Sequence, residues 1–223
     1  MIKITLPDGS VKEFASGVTP HEVALSISEG LARNVISASF NGTTIETATP
    51  LTTDGSLVLY TWNDAEGKKA FWHSTSHVMA QALEEKFPGI KLTIGPAIEN
   101  GFYYDVDFGD KRITDADFKD IEDRVLAIAK EKHEFKMRSA SKAEALELYK
   151  DNEYKTELIT NLEDGTISFC DHSTFTDLCR GGHIPNTGII KAMKILSVAG
   201  AYWRGDEKNK QLTRVYGISF PKQ

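Results

Sequence analysis

Apolar and polar residues alternate with a period near two at the start of the chain, in two runs at 2–6 and 11–15. Between them lies Pro7-Asp8-Gly9-Ser10, a turn in which proline presets φ and glycine accepts a positive φ. The next stretch, Thr19-Pro20-His21-Glu22, offers an N-cap, a proline at the first helical position and the glutamate of a capping box. The pattern therefore predicts a β-hairpin followed by a short helix that ends near Gly30.

Three more apolar runs follow, at 35–40, 43–46 and 56–61. Asn41-Gly42, which separates the first two, is the strongest short signal for a hairpin. The resulting order ββαβββ is typical of a small curved sheet that grips one helix, which is an α+β grasp and not a doubly wound fold. We expect this domain to span residues 1–61.

Beyond this domain the apolar period lengthens toward that of a helix. Apolar residues at 66–87 recur near helical spacing, and Pro88-Gly89 ends the run. Capping patterns predict two further helices, which begin after Thr114 and after Ser141. Strands are expected at 91–94, 102–107, 135–138, 167–171 and 174–178. These elements predict a second, larger α+β domain that spans residues 62–223.

The composition favours a soluble globular protein without a disulfide framework or a membrane-spanning segment. The 223 residues are 40% apolar and 26% charged, which is ordinary for a soluble globular protein. The net charge of −6 argues against a surface coated for nucleic-acid binding, although a local basic stripe remains compatible with it. Cys170 and Cys179 are too few for a disulfide framework and suit a reducing compartment. No apolar run approaches membrane-spanning length and no signal core is present, so the expected location is the cytoplasm.

Two pairs of residues carry candidate chemistry. His73 and His77 are four apart on the predicted helix, so both imidazoles project from one face. Cys179 and His183 form a second pair on a predicted loop. Together they match a tetrahedral zinc inventory, but Gly-Gly follows the cysteine where a zinc knuckle would have a turn, so the metal content stays open. The alternative is that the histidines are ordinary polar residues on a half-exposed helix face.

The last part of the chain is locally basic. Between Lys191 and Arg214 six basic residues face two acidic ones, so the local net charge is +4, and Tyr202 and Trp203 are interleaved. A solvated face explains this pattern, but a basic hairpin with exposed aromatic residues also suits a phosphate backbone and an unstacked base. The candidate nucleic-acid-binding residues are Lys191, Lys194, Trp203, Arg204, Lys208, Lys210 and Arg214.

The first domain resembles the TGS domain, a ubiquitin-like module shared by threonyl-tRNA synthetases, certain GTPases and alarmone synthetase/hydrolases. The resemblance depends on Ile4-Thr-Leu-Pro-Asp-Gly-Ser10, Thr19-Pro-x-Glu-Val-Ala24 and Val58-Leu-Tyr60. The domain shows no phosphate-cradling glycine loop and no paired carboxylates, so we interpret it as an accessory scaffold.

The second domain resembles the editing domain of bacterial threonyl-tRNA synthetases, which is related to that of alanyl-tRNA synthetases. Five motifs carry the resemblance: His73-Ser-x-x-His77, Ile94-Gly-Pro96, Gly101-Phe-Tyr-Tyr-Asp105, Asp177-Leu-Cys-Arg-Gly-Gly-His183 and Gly200-Ala-Tyr-Trp-Arg-Gly-Asp206. One departure is visible, because the family commonly has Cys-Arg-Gly-Pro-His and Gly182 replaces that proline here. The glycine is expected to loosen the loop before His183.

The resemblance implies hydrolysis of seryl-tRNA for threonine, a proofreading reaction. A pocket for threonine rejects serine, which lacks one methyl group, by only roughly 1–3 kcal/mol, so a second site has to hydrolyse the wrong ester. Imidazoles relay protons near neutral pH, and His73 is our first choice as the base, with His77 and His183 positioning water or ribose. Cys179 is expected to shape the site or bind a ligand, since the resemblance implies attack by water and no thioester.

Further roles come from the resemblance alone. Lys155 is expected to contact the reacting water or ester, and Asp177 the seryl amino or hydroxyl group, while Gly95 and Tyr104 line the pocket. The implied partners are mischarged tRNA for threonine and the rest of a synthetase chain, with a dimeric full-length enzyme, a monomeric fragment and no membrane. ATP and Mg²⁺ are expected only for a synthetase core, which this sequence lacks.

Two alternatives to metal-free editing stay open. One is a zinc-dependent aminoacyl-tRNA hydrolase that uses His73, His77, Cys179 and His183. The other is a non-catalytic tRNA-binding module with a structural metal. Editing by water attack needs no cofactor, whereas the first alternative needs Zn²⁺ and the second a structural metal, for which Zn²⁺ at the His/Cys cluster is possible.

Overall fold

In the first seventy residues the structure contains the elements that the turn and cap signals predict, except that one predicted helix is divided into two. The structure, a computed structural model, describes residues 1–222. Contacts divide the chain into two compact units, the first formed by 1–71 with 181–185 and the second by 72–180 with the stretch from Asn186 onward. The predicted domain boundary at residue 62 stays a prediction.

The first unit is built on a five-stranded sheet. Its elements are β1 (Ile2–Thr5), β2 (Val11–Phe14), α1 (Pro20–Ile27), α2 (Glu29–Asn34), β3 (Val35–Phe40), β4 (Thr43–Ile45) and β5 (Gly55–Thr61). The strand order is β2-β1-β5-β3-β4, in which the central pair β1 and β5 is parallel. Ile4, Val23 and Leu57 are fully buried between the sheet and α1. This arrangement is the predicted α+β grasp.

The predicted single helix of this unit is in fact two helices. Ser28 has an extended conformation, with φ −164°, and ends α1. Its Oγ then accepts a hydrogen bond from Leu31 N at 3.0 Å and so caps α2. The predicted capping box is present, because Thr19 N donates to Glu22 Oε2 and Glu22 N donates to Thr19 Oγ1.

Helix α3 (Ala65–Lys86) carries the two histidines, as the period predicted. The division between the units falls inside it, after Phe71. The helix buries small polar side chains as well as apolar ones, because Ser74, Thr75 and Ser76 are all inaccessible to solvent. Thr75 Oγ1 lies 2.8 Å from Ser219 Oγ, so the buried hydroxyl is paired.

The second unit holds two sheets and three more helices. Its strands are β6 (Lys91–Leu92), β7 (Ala97–Ile98), β8 (Gly101–Asp107), β9 (Lys136–Ser139), β10 (Ser168–His172), β11 (Phe175–Leu178), β12 (Ala192–Tyr202) and β13 (Gln211–Phe220). Its helices after α3 are α4 (Asp115–Lys130), α5 (Lys142–Leu148) and α6 (Glu153–Thr160), with 3₁₀ turns at Thr187–Ile189 and Trp203–Gly205. One sheet has the order β11-β10-β9, and the other has the order β12-β13-β8-β6 with β7 paired to β8. The fold class is α+β, as predicted. Within residues 1–222 no helix has the length and apolar character needed to cross a bilayer.

Helix α6 was absent from the sequence prediction although it carries Lys155. Asn152 caps it, since its Oδ1 accepts from the backbone N–H groups of Tyr154 and Lys155, each at 3.1 Å. The helix has only eight residues, and its buried face consists of three side chains, Tyr154, Lys155 and Ile159. An isolated helix of this length is unstable in water, so tertiary packing sustains it.

Candidate active site

Helix α3 brings His73 and His77 into contact across one turn. Their ring centroids are 4.7 Å apart and their Nε2 atoms 3.4 Å apart. His77 is almost completely buried, whereas His73 is half-buried. The i, i+4 spacing therefore places the two imidazoles side by side, as predicted.

Strand β11 delivers two more side chains to these histidines. Cys179 follows directly after the strand, and its N–H donates to Ser168 O at 3.1 Å, which fixes the start of the loop. Its Sγ lies 3.1 Å from His73 Nε2. Asp177, within the strand, lies with Oδ2 3.0 Å from His77 Nδ1. The predicted residues His73, His77, Asp177 and Cys179 thus form one continuous group in the second unit.

Asp177 is the centre of a buried polar network. Its Oδ1 accepts from Lys155 Nζ at 2.5 Å, and its Oδ2 accepts from the Tyr104 hydroxyl at 2.7 Å. Lys155 Nζ also lies 3.3 Å from the Tyr104 hydroxyl. Lys155 and Asp177 are only 2% and 3% exposed, so this is a desolvated ion pair with charge-assisted hydrogen bonds.

The network shifts the pKa values of its members. Burial raises the pKa of Asp177, but the positive charge of Lys155 and the hydrogen bond from His77 outweigh burial and hold that pKa well below its ordinary value. Burial lowers the pKa of His77, but hydrogen bonds with Asp177 and Cys179 outweigh burial and raise it. Burial, reinforced by the charge of Asp177, raises the pKa of Tyr104 far above its ordinary value. The network therefore holds an ionised carboxylate, a readily protonated imidazole and a neutral phenol.

Gly95 lines the site because no other residue fits there. A Cβ at this position would lie 2.2 Å from the Tyr104 ring and 3.0 Å from Ser76 Oγ. The Gly95 carbonyl accepts a hydrogen bond from Ser76 Oγ at 2.7 Å and lies 3.4 Å from His73 Nδ1. The glycine thus lets a loop backbone approach helix α3 closely.

A cavity of about 350 Å³ reaches the Lys155 to Asp177 ion pair within the second unit. Tyr149 and Phe175 contribute rings to its lining. Both members of the pair therefore border this cavity, although each side chain is almost completely buried.

His183, the fourth residue of the predicted cluster, lies on the segment 181–185 of the first unit. It is fully buried, and its Nδ1 lies 3.0 Å from Glu46 Oε1. Burial raises the pKa of Glu46, but the hydrogen bond and charge of His183 outweigh burial and lower it. Glu46 was not predicted from the sequence, because a glutamate directly after a short strand is usually solvated.

The side chains of His73, His77 and Cys179 are close enough together to bind a metal ion. Their candidate ligand atoms all lie within 4.8 Å of one another. A tetrahedral zinc ion with bonds of about 2.1 Å to nitrogen and 2.3 Å to sulfur needs ligand atoms roughly 3.4–3.7 Å apart. The two contacts of His73 Nε2, at 3.4 and 3.1 Å, are near this range, so the three residues fit zinc with small adjustments.

The basic segment forms the hairpin β12–β13, but most of its charges are neutralised within the second unit. Four of its six cations have ion partners: Lys194 with Glu122, Arg204 with Glu157, Lys210 with Asp107 and Arg214 with Asp105. Among the described residues, Lys191 and Lys208 have no acidic partner within 4 Å, so they are the cations best placed to meet an external phosphate.

The expectation that the hairpin presents two exposed aromatic residues is wrong for Trp203. Its side chain is buried, packs edge-to-face against Tyr154 and donates from Nε1 to Glu157 Oε2 at 2.9 Å. Tyr202, by contrast, is 43% exposed. Trp203 therefore supports the hairpin from inside, and contact of this residue with tRNA remains a prediction that its burial disfavours.

Two known families match segments of the chain. Residues 2–61 match the TGS domain. Residues 167–216 match the family described as the threonyl and alanyl tRNA synthetase second additional domain.

Whole-chain relatives agree with these matches. The chain is 83% identical over 223 residues to a threonine–tRNA ligase of Flavobacterium johnsoniae, 56% identical over 225 residues to one of Cytophaga hutchinsonii and 51% identical over 225 residues to one of Bacteroides thetaiotaomicron. Each match covers the whole of this chain and 34–35% of the relative. The chain therefore spans about a third of the length of the relatives it matches.

Proposed function

Because the chain corresponds along its whole length to the part of threonine–tRNA ligases that carries the TGS domain and the second additional domain, we propose that it proofreads aminoacyl-tRNA. The reaction is the hydrolysis of serine from tRNA for threonine at the ribose of the terminal adenosine. Its partners are mischarged tRNA and the remainder of a synthetase, in the cytoplasm.

The observation that carries this proposal is the hydrogen-bonded series that runs from Lys155 through Asp177 and His77 to His73. Ester hydrolysis needs a base for water, a charge to stabilise the oxyanion and a proton for the leaving oxygen. An ionised Asp177 holds His77 through Nδ1, and the protonated form of His77 is favoured because its hydrogen bonds with Asp177 and Cys179 outweigh the effect of burial. This leaves His73 Nε2, 3.4 Å from His77 Nε2, as the neutral nitrogen that accepts a proton.

The reaction then proceeds in two steps. Water attacks the ester carbon while its proton passes to His73, and the positive charge of His77 stabilises the developing oxyanion. The bond from carbon to the ribose oxygen breaks next, and that oxygen takes the proton back from the imidazole pair. The products are serine and tRNA with a free ribose hydroxyl, and no other reactant is consumed.

Selectivity for serine follows from how tightly the site is packed. Gly95 holds its loop directly against Tyr104 and Ser76, beside the His73 ring, so little free volume remains near the reacting group. We expect the additional methyl of threonine to displace either the water or the ester carbonyl. Lys155 and Asp177, at the border of the cavity, would bind the amino or hydroxyl group of the seryl moiety.

The test is the release of amino acid from tRNA for threonine that has been charged with serine or with threonine. We expect the seryl ester to be hydrolysed and the threonyl ester to be spared. His73→Ala should lower the rate roughly 10²–10⁴-fold, the range for loss of a positioned proton-transfer group, and Cys179→Ser should have a smaller effect. The matched control is His21→Ala, which removes an exposed imidazole from α1. Equal hydrolysis of the two esters, or full activity of His73→Ala, would contradict the proposal.

Zinc-dependent hydrolysis is the second candidate, because the spacing of His73, His77 and Cys179 is compatible with zinc. When bound, zinc would supply an activated water. The two candidates differ in their response to a chelator. Water attack with imidazole base predicts an unchanged rate after chelation, whereas stoichiometric zinc together with a chelator-sensitive rate would establish the second candidate.

A further inference from the structure

One oxygen of Glu46 binds the loop that carries His183. Glu46 Oε1 accepts from Gly182 N at 2.9 Å and lies 3.0 Å from His183 Nδ1, with His183 N a third and longer donor at 3.4 Å. Glu46 directly follows β4 and, like the loop 181–185, belongs to the first unit. Because three donors converge on a single carboxylate oxygen, Glu46 makes a specific contact with the loop and not an incidental surface contact.

The backbone of the loop depends on this carboxylate. Gly182 has φ +87° and Gly181 has φ +104°, both in the left-handed region that favours glycine. Proline is fixed near φ −65° and has no N–H, so a proline at position 182 could neither adopt this conformation nor donate to Glu46. The glycine at this position therefore permits the hydrogen bond from Gly182 N to Glu46 Oε1 that holds the loop.

The same carboxylate determines which nitrogen of His183 carries the proton. An ionised carboxylate only accepts hydrogen bonds, so the nitrogen that faces it, Nδ1, must be the protonated one. In the neutral ring Nε2 then carries the lone pair. This is the arrangement in which a carboxylate orients a functional histidine through the ring nitrogen that does not react.

We propose that Glu46 is a positioning residue that holds the loop before His183 and fixes this histidine in its Nδ1–H tautomer. The consequence for catalysis rests on the proposed function and on the role expected for His183 from the sequence, which is to position water or ribose. The consequence for the tautomer does not, because it follows from the contact of Glu46 with the ring. The two consequences can therefore be tested separately.

The first test reads the tautomer directly. Ring ¹⁵N chemical shifts of His183 in the wild-type chain, recorded at a pH at which the ring is neutral, should show a protonated Nδ1 and an unprotonated Nε2. In Glu46→Ala this preference should be lost or reversed, since the acceptor is gone, while Glu46→Gln should retain part of it because the amide oxygen still accepts. Glu13→Ala, which removes an exposed carboxylate from β2, should leave the His183 signals unchanged. An identical tautomer in the wild type and Glu46→Ala would overturn the proposal.

The second test measures deacylation of seryl-tRNA. Glu46→Ala should lower kcat roughly 10–100-fold, the usual effect of removing such an orienting partner, with a smaller change in KM. Glu46→Gln should be intermediate, and both variants should be compared with wild type by circular dichroism to confirm that they fold. If the wild type hydrolyses the ester and both variants match it, the catalytic role of Glu46 is excluded. If the wild type itself is inactive, the proposed function fails, and the tautomer experiment still decides the role of Glu46.

Discussion

The ion pair between Lys155 and Asp177 takes two charges almost completely out of water. Desolvation of such a pair is expensive, and its mutual attraction compensates only when the remaining donors and acceptors are satisfied. Here Asp177 has three partners, Lys155, Tyr104 and His77, so the carboxylate is well satisfied. The stability of the site thus depends on each partner being present.

Lys155→Met should destabilise the second unit by about 3 kcal/mol, the lower end of the range for a buried charge that loses its partner, because His77 and Tyr104 remain. The free energy of unfolding from urea denaturation measures this. Lys150→Met is the matched control, since Lys150 pairs with Glu147 at the surface, and it should change stability by less than about 1 kcal/mol. Equal effects of the two substitutions would show that the buried pair contributes no more than a surface pair.

The sequence predicted which two histidines lie side by side on one helix, but it did not predict the distant residues that contact the site. The i, i+4 spacing of His73 and His77 sufficed to place both rings together, because helix geometry alone determines it. Lys155 was named only through a family resemblance, since a lysine in a short polar stretch has no local sign of burial. Glu46 was missed altogether, because its partner is far away in the sequence.

Among the elements, helix α4 and strand β12 are joined by a buried glutamate. The pairing of β12 with β13 shifts register between Ile195 and Ser197, which is a β-bulge. Glu122, only 5% exposed, accepts from Ile195 N at 3.0 Å through Oε1 and from Lys194 Nζ at 2.9 Å through Oε2. The helix therefore supplies an acceptor for a strand N–H at the bulge.

The contribution of the Glu122 carboxylate to stability can be measured by substitution. Glu122→Ala should destabilise the second unit by about 1–3 kcal/mol, because the buried Ile195 N–H loses its partner. Glu122→Gln keeps an oxygen for the amide and should have a smaller effect. Hydrogen exchange at the Ile195 amide provides a local readout, and unchanged protection in the alanine variant would show that the N–H finds another acceptor.

Elements with strong local signals were predicted closely. Both ends of α3 lie within one residue of the expected positions, and α4 begins directly after Thr114 as expected, because the apolar period, the Pro88-Gly89 stop and the Thr114 cap are local signals. Helix α6 was missed because its eight residues depend on packing, although Asn152 was a usable cap signal. Ser28, at the break between α1 and α2, was a second overlooked cap.

For the whole molecule, net charge and local charge give different expectations about tRNA. The chain has a net charge of −6, and its basic hairpin is largely neutralised by acidic residues of the second unit. A cation that is already paired releases fewer counterions when it meets phosphate. The sequence could identify the basic hairpin but could not identify this neutralisation, because the acidic partners lie 47 to 109 residues away.

This neutralisation predicts which lysine of the hairpin tip contributes to tRNA binding. Lys208 has no acidic partner within 4 Å among the described residues, whereas Lys210, two positions later, pairs with Asp107 at 2.6 Å. Each phosphate neutralised contributes roughly 0.7–0.9 to the slope of log K against log salt. Lys208→Ala should therefore reduce that slope by about one and weaken binding uniformly, while Lys210→Ala should leave the slope nearly unchanged. Titrations of the chain with tRNA for threonine at several salt concentrations measure both slopes. If neither substitution alters the slope, the hairpin tip is a solvated surface and the tRNA contacts lie elsewhere; if Lys210→Ala has the larger effect, the ion pair with Asp107 opens when tRNA binds.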